Sequence, residues 1–283
     1  MQYICEMITE PNVKINLGLN VLRRREDGFH DLETLFYPYE GLSDRLEIVT
    51  GEDYPRTLAA LRDNYGSLTQ AISPDGKLMI TIARADGVDW DPLKDLTARA
   101  YGLLAEDYSL PPMKIFLEKK APVGAGLGGG SADGAFALRM IAQLSGLSLT
   151  DADLAAYAAR LGSDCPFFLY NRPMLGSGRG EILEPWPLDL SGYRLEVIIP
   201  EGVRVSTAEA YRGIVPAIPP KALRDVLRQD IPTWKDDLHN DFEATVFAAH
   251  PSLATLKDSL YAQGATYAAM SGSGSAFFAL FPL

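Results

Sequence analysis

From Val13 to Val21 apolar and polar residues alternate without a break: Val13, Ile15, Leu17, Leu19 and Val21 fall on one side, Lys14, Asn16, Gly18 and Asn20 on the other. A period of two puts the two sets on opposite faces of a strand, so the segment is predicted to be a half-buried β-strand with a polar outer face. Shorter strand patterns follow at Leu46 to Val49, Leu78 to Ile82 and Lys114 to Glu118, with turn chemistry at Asp27-Gly28 and Asp75-Gly76. Then the period lengthens. Leu93, Leu96, Ala100, Leu103 and Leu104 recur at helical spacing, as do Phe136, Met140 and Leu144 with Ala137 and Ile141, a run stopped at Gly146. Thr150 and Asp153 form a capping box for a helix through Leu161, closed by Gly162.

The elements change character after Met174. A strand pattern at Leu195 to Ile199, connectors rich in proline at Pro216, Pro219 and Pro220, and a helix opened by Asn240-Asp241-Phe242-Glu243 describe a second α+β unit. Gly176, Gly178 and Gly180 punctuate the junction, so a boundary is expected near 176.

A length of 283 residues suits two such units. No apolar run approaches the roughly 18 residues of a membrane span, and Glu6 and Glu10 stand where a secretory leader would be basic, so a cytoplasmic protein is expected. Cys5 and Cys165 are expected as reduced thiols. The net charge of −11 makes nucleic acid and anionic membranes poor partners for the molecule as a whole, so any anionic ligand requires a local positive site.

One segment offers such a site. Pro122-Val123-Gly124-Ala125-Gly126-Leu127-Gly128-Gly129-Gly130-Ser131-Ala132-Asp133 precedes a helical pattern, with Lys119 and Lys120 just before it. Glycines let backbone N–H groups approach phosphate oxygens, and a helix N-terminus adds free donors and a positive dipole end. The spacing also satisfies a dinucleotide fingerprint, but a Rossmann unit needs a strand running straight into the loop and another soon after the helix. Neither is predicted here. A Walker A loop is excluded because Ser131-Ala132-Asp133 stands where Gly-Lys-Ser/Thr would close it.

Asp164, in Gly162-Ser163-Asp164-Cys165-Pro166, shapes a turn or serves as a base; Lys14 is solvated or, sharing a strand face with Asn16, aims into a cleft. Together with a phosphate loop they fit phosphoryl transfer, in which a carboxylate takes the acceptor proton and a cation offsets developing charge.

Three separated segments carry a family resemblance: Pro11 to Leu17 with Arg25 to Phe36, Pro122 to Asp133 with Gly162 to Phe167, and Met270-Ser271-Gly272-Ser273-Gly274-Ser275. In this order they resemble the galactokinase, homoserine kinase, mevalonate kinase and phosphomevalonate kinase superfamily, and within it the branch acting on a cytidine-diphosphate-linked methylerythritol. The resemblance implies an α+β, two-domain fold, with an ATP-binding domain at 1–176 built on a mixed sheet and a substrate-side domain at 177–283. It implies ATP-dependent phosphorylation of the 2-hydroxyl of that substrate, with magnesium accompanying ATP and no resident metal. ATP is then expected on Lys119, Pro122, Val123, Gly124, Ala125, Gly126, Leu127, Gly128, Gly129, Gly130, Ser131 and Ala132, with Lys14 and Asp164 as the catalytic pair. Asn16 would hold the acceptor alcohol, and His30, flanked by Phe29 and Tyr211, would read the cytosine. Phe29 stands where the family more often has tyrosine; it loses a hydroxyl but keeps the stacking face, the larger contribution. The competing readings are a kinase for a mevalonate-like acid, which has no use for a base sandwich, and a non-catalytic nucleotide-binding module. For single residues the plain alternatives are a packed His30, a core Tyr211 and a simple tight turn at Ser271 to Ser275.

Overall fold

The structure, a computed structural model, describes residues 6–51, 62–65 and 68–283; Cys5 and most of the segment 51–68 lie outside the described residues. The strands are β1 (Glu6–Thr9), β2 (Asn12–Arg24), β3 (His30–Ser43), β4 (Arg45–Thr50), β5 (Thr69–Ile72), β6 (Leu78–Arg84), β7 (Met113–Lys119), β8 (Met174–Ser177), β9 (Ile182–Pro185), β10 (Tyr193–Ile198), β11 (Tyr267–Met270) and β12 (Phe277–Pro282). The α-helices used below are α1 (Leu96–Asp107), α2 (Gly129–Leu144), α3 (Asp151–Leu161), α4 (Cys165–Tyr170), α5 (Thr207–Arg212), α6 (Leu223–Val226), α7 (Trp234–Asp237), α8 (Phe242–Ala249) and α9 (Pro251–Ala262). Among the described residues no helix is long and apolar enough to cross a membrane.

The chain forms two compact units that interleave along the sequence. One gathers residues 1–13, 39–121 and 129–170, the other 14–38, 122–128 and 171–283. The last crossing, at Tyr170 and Asn171, lies close to the junction expected near 176, but Lys14–Pro38 and Pro122–Gly128 cluster with the later residues. Pairing explains the excursion, because β2 and β3 form one sheet with β8 and β9, in the order β2-β3-β8-β9.

The first unit carries a five-stranded mixed sheet, β1-β4-β7-β6-β5, in which β6 and β7 run parallel and the other neighbours antiparallel. A parallel pair needs a crossover, and α1, opened by the Asp95 side chain accepting from Thr97 N, lies in it. Ile48, Ile80, Ile82, Ile115 and Leu117 are fully buried at period-two spacing. The opposite face is closed as well, since Val49, Met79, Ala83 and Phe116 cluster with Tyr65 and Leu68. The capping box of Thr150 and Asp153 opens α3 as predicted. Its end differs in detail from a glycine stop, because Gly162 has φ −178°, extended backbone open to any residue.

The second unit adds an antiparallel sheet, β10-β12-β11, whose core joins Phe242, Val246, Leu253, Met270, Phe277 and Phe281. Burial of side chains of this size contributes about 1.5–3 kcal/mol each. Leu19 and Val21 of β2 enter the same core. Strand β2 departs from expectation: ten consecutive residues from Asn12 to Val21 are buried, so its polar face is enclosed rather than solvated.

Candidate active site

The glycine run divides in two. Pro122 to Gly128 is irregular, and α2 begins at Gly129, earlier than its apolar pattern suggested. Gly129, Gly130, Ser131 and Ala132 are therefore helical first-turn residues whose N–H groups lack partners within the helix. Gly124, Gly126 and Gly128 hold φ of +75°, +79° and +73°, the left-handed region that glycine enters freely. Gly126 has no alternative on steric grounds either, because a Cβ there would fall 2.0 Å from the Ser271 carbonyl oxygen.

That approach joins the loop to the turn between β11 and β12. Ala276 N donates to Ala125 O at 3.1 Å, and Ser271 Oγ donates to Gly126 O at 3.1 Å. Asn240 steadies the turn from below: its Nδ2 donates to Met270 O and Gly272 O at 2.7 and 2.8 Å, while its Oδ1 accepts from Phe242 N at 3.0 Å. The predicted helix cap thus also fastens the Ser271–Ser275 turn. Asp241 does not cap α8; its carboxylate accepts from Val21 N at 2.7 Å.

The polar face of β2 meets the same loop. Lys14 Nζ donates to Asn16 Oδ1 and, at 2.9 Å, to Gly126 O, and Lys14 N donates to Leu127 O at 2.9 Å. Asn16 in turn donates from Nδ2 to Thr34 Oγ1 at 3.0 Å and from its backbone to Ser271 Oγ at 3.3 Å. Lys14 and Asn16 are 3% and 2% exposed, so the side chains are fixed rather than roaming in water. A cation is thus tied to a carbonyl inside a loop whose N–H groups suit an anion.

Asp164 belongs to the first unit, in the half-buried turn between α3 and α4, where its carbonyl accepts from Phe167 N at 3.2 Å. The next residue, Cys165, is a buried free thiol pushed up to about 12, chiefly by burial and further by the Asp164 charge, and so is unreactive.

Phe29 stands 52% exposed at the β2–β3 turn, with the Arg179 guanidinium 4.9 Å from its ring centre. His30 stacks on Tyr211 at 4.8 Å and 26°, and Tyr211 meets Phe242 edge-on at 4.7 Å. Tyr211 therefore borders the core, and His30 already stacks on its ring. Burial, helped by the charge of Arg24, lowers the His30 pKa below its ordinary value, which favours a neutral imidazole.

Lys119 differs most from expectation. Instead of lying open beside the loop, its ammonium is enclosed between the carboxylates of Asp44 and Asp133, with a side chain only 4% exposed. Burial opposes its charge, yet the two carboxylates raise its pKa above the usual lysine value. Asp44, at the bend between β3 and β4, also accepts from Lys120 N and Ala121 N at 2.6 and 2.8 Å. Nothing local in the sequence marks Asp44; it becomes visible only once β4 is paired with β7. Among the described residues no group of three or more His, Cys, Asp or Glu could hold a metal. A cavity of about 430 Å³ in the second unit, lined by Asn20, Ile214, Leu223, Val226, Leu238 and Thr245, touches none of the residues expected at the site.

Known proteins resemble this chain over nearly its whole length. Family models described as GHMP kinases N terminal domain and GHMP kinases C terminal match residues 95–172 and 222–283. The 4-diphosphocytidyl-2-C-methyl-D-erythritol kinase of Bacteroides fragilis is 42% identical, over 97% of this chain and 92% of its own length. The enzyme of the same name from Parabacteroides distasonis is 43% identical over the same shares. The chain belongs to the 4-diphosphocytidyl-2-C-methyl-D-erythritol kinase family. A crystal structure of a 4-(cytidine 5'-diphospho)-2C-methyl-D-erythritol kinase has the same α+β fold, with a TM-score of 0.73 and 33% identity, covering 97% of this chain and 90% of the other. A homoserine kinase from Cytophaga hutchinsonii, at 18% identity and a TM-score of 0.66 over 100% and 86% of the two chains, shares the fold. The two GHMP models span the phosphate loop, Asp164 and the Ser271–Ser275 turn, but Lys14, Phe29, His30 and Tyr211 fall outside them. Those positions lie in the stretch where likeness to the 4-diphosphocytidyl-2-C-methyl-D-erythritol kinases, covering 97% of the chain, is the informative comparison.

Proposed function

We propose that this chain transfers the γ-phosphoryl group of ATP to the 2-hydroxyl of 4-diphosphocytidyl-2-C-methyl-D-erythritol, giving the 2-phosphate and ADP, a step in isoprenoid precursor synthesis by the non-mevalonate route. The observation that carries the chemistry is Lys14: a buried ammonium bonded to Gly126 O within a glycine loop that leads into a helix N-terminus. The names and coverage of the relatives carry the choice of acceptor.

In this reading the triphosphate lies along Pro122 to Ala132, held by backbone N–H groups and the first turn of α2. Asn16 orients the acceptor alcohol, Asp164 removes its proton, and the alkoxide oxygen attacks the γ-phosphorus as the bond to ADP breaks. Lys14 offsets charge on the transferring group, which is most of what a protein contributes to phosphoryl transfer. Magnesium arrives with ATP, coordinated largely by phosphate oxygens and water. Phe29 stacks on the cytosine while neutral His30 reads its edge, and Tyr211, on which His30 stacks, would reach the base only once that contact opens. Residues 1–176 would then serve ATP and also present Asn16, Phe29 and His30 to the acceptor, with 177–283 adding Tyr211. The need for ATP and the acidic surface favour a cytoplasmic enzyme without a nucleic acid partner.

The test mixes purified protein, MgATP and the cytidine-linked acceptor, and follows ADP enzymatically and the new phosphate monoester by phosphorus NMR. ADP and monoester should appear one for one. ADP release without acceptor, or faster turnover of mevalonate, would overturn the assignment.

A further inference from the structure

Lys119, Asp44 and Asp133 come from three elements: the end of β7, the bend before β4 and the first turns of α2. All three residues are buried, at 6%, 1% and 1% exposure. The hydrogen bonds are unequal. Asp44 accepts from Lys120 N and Ala121 N at one oxygen and from Lys119 Nζ at the other. Asp133 accepts from Lys119 Nζ at 2.6 Å through Oδ2, while its Oδ1 has no hydrogen-bond partner among the described residues. Gly129, the first residue of α2, packs directly on this cluster: a Cβ there would stand 3.3 Å from Ala121 Cβ, 3.6 Å from Asp44 Oδ2 and 3.7 Å from Lys119 Nζ. A lysine so enclosed gives two of its three donors to carboxylates, and swinging out to a phosphate would leave two acids buried without a counter-charge.

We infer that Lys119 is a positioning residue rather than a phosphate ligand: with Asp44 as its main anchor, it fixes β7 against the first turn of α2 and so sets where the phosphate-binding N–H groups point. The inference rests on the reading of that turn as part of the ATP site. Asp133 is the partner with fewer hydrogen bonds. Burial raises its carboxyl well above the usual range, Lys119 lowers it, and the nearby Asp44 raises it again, which suits an acid that shares the lysine but does not hold it alone.

The two roles for Lys119 predict opposite signs at Asp44. If the ammonium bound phosphate, Asp44→Asn would release it and the ATP KM would fall or stay constant. As a positioning residue it loses its anchor, because the amide nitrogen of asparagine opposes the ammonium. The ATP KM should then rise about tenfold at a temperature where the variant is folded, with the acceptor KM little changed. Asp133→Asn should raise it less, since the amide oxygen still accepts from Lys119 and its nitrogen occupies the position of the unpartnered Oδ1. An unchanged or lower ATP KM in Asp44→Asn, or a larger rise in Asp133→Asn, overturns the inference. A second measurement needs no variant: acylation of lysines by an amine-reactive ester, read by mass spectrometry with and without ADP. A pinned Lys119 stays unlabelled in both samples; a phosphate ligand is labelled in the free enzyme and protected by ADP. The labelling of the free enzyme decides the lysine even where ATP does not bind, the outcome that would defeat the functional assignment instead.

Discussion

The two ends of the glycine run are fastened by different chemistry. Pro122 to Gly128 is held through its carbonyls: those of Ala125, Gly126 and Leu127 accept from the Ala276 backbone, the Ser271 hydroxyl and the Lys14 backbone, neutral donors joined by one charged donor, the Lys14 ammonium. Gly129 and the turn that follows rest instead on a buried cluster of charge, Lys119 with Asp44 and Asp133. Neutral bonds exchange for water at a net cost of about 1 kcal/mol each, whereas removing one member of a buried ion pair costs about 3–5 kcal/mol because a bare charge is left behind. The helical half therefore rests on an ion cluster, and the irregular half on neutral bonds and the single charged bond from Lys14.

The largest expected effect tests the charged end. Lys119→Met should lower unfolding free energy by about 3–5 kcal/mol, measured by urea denaturation, because Asp44 and Asp133 lose their shared cation. A loss below about 1 kcal/mol would mean the cluster carries little of the fold. Next in size is Asp164→Asn, which leaves both fastenings alone. It should cut kcat by about 10²-fold with the ATP KM nearly constant, the order expected when general-base help is lost. Full turnover would remove Asp164 from the mechanism.

Away from the loop, Phe29→Ala should weaken acceptor binding by about 1–3 kcal/mol in calorimetry while ATP binding holds, as stacking platforms for bases do elsewhere. The same site gives a pH signature. His30 titrates below its ordinary 6.5, so it is neutral at pH 7, and the acceptor KM should rise only when acidification passes that lowered value. The unfolded chain takes up the proton first, so the His30 contribution to stability also declines on acidification. A rise in KM centred above pH 6.5, or an NMR titration of the ring above that value, would contradict the assignment. The smallest effect belongs to the neutral fastening: Ser271→Ala should cost about 1 kcal/mol in stability, having removed one hydroxyl that bridges Asn16 N and Gly126 O.

Much of this could be read from the chain because periodicity and capping are local. The alternation of β2, the capping box of α3 and the turn at Gly28 each needed only a few neighbouring residues. Three things were not local. The polar face of β2 is buried by Thr34, Gly126 and Ser271, residues 18 to 255 positions away from Asn16 or 112 from Lys14. The start of α2 was obscured by its own glycines, poor helix formers, although a Cβ at Gly129 would press on Ala121 at 3.3 Å. The enclosure of Lys119 was hidden for the same reason: a lysine next to a glycine loop gives no sign of a partner until Asp44, 75 residues earlier, is paired with it. Edge strand β5 had too short and too weak a pattern to be seen.

The bond from Ala276 N to Ala125 O has a practical use beyond architecture. Ala276 is fully buried beside strand β12, and its amide donates to the irregular half of the loop. Its hydrogen-exchange rate therefore sets an upper limit on how often this bond opens, readable without a label or an altered residue.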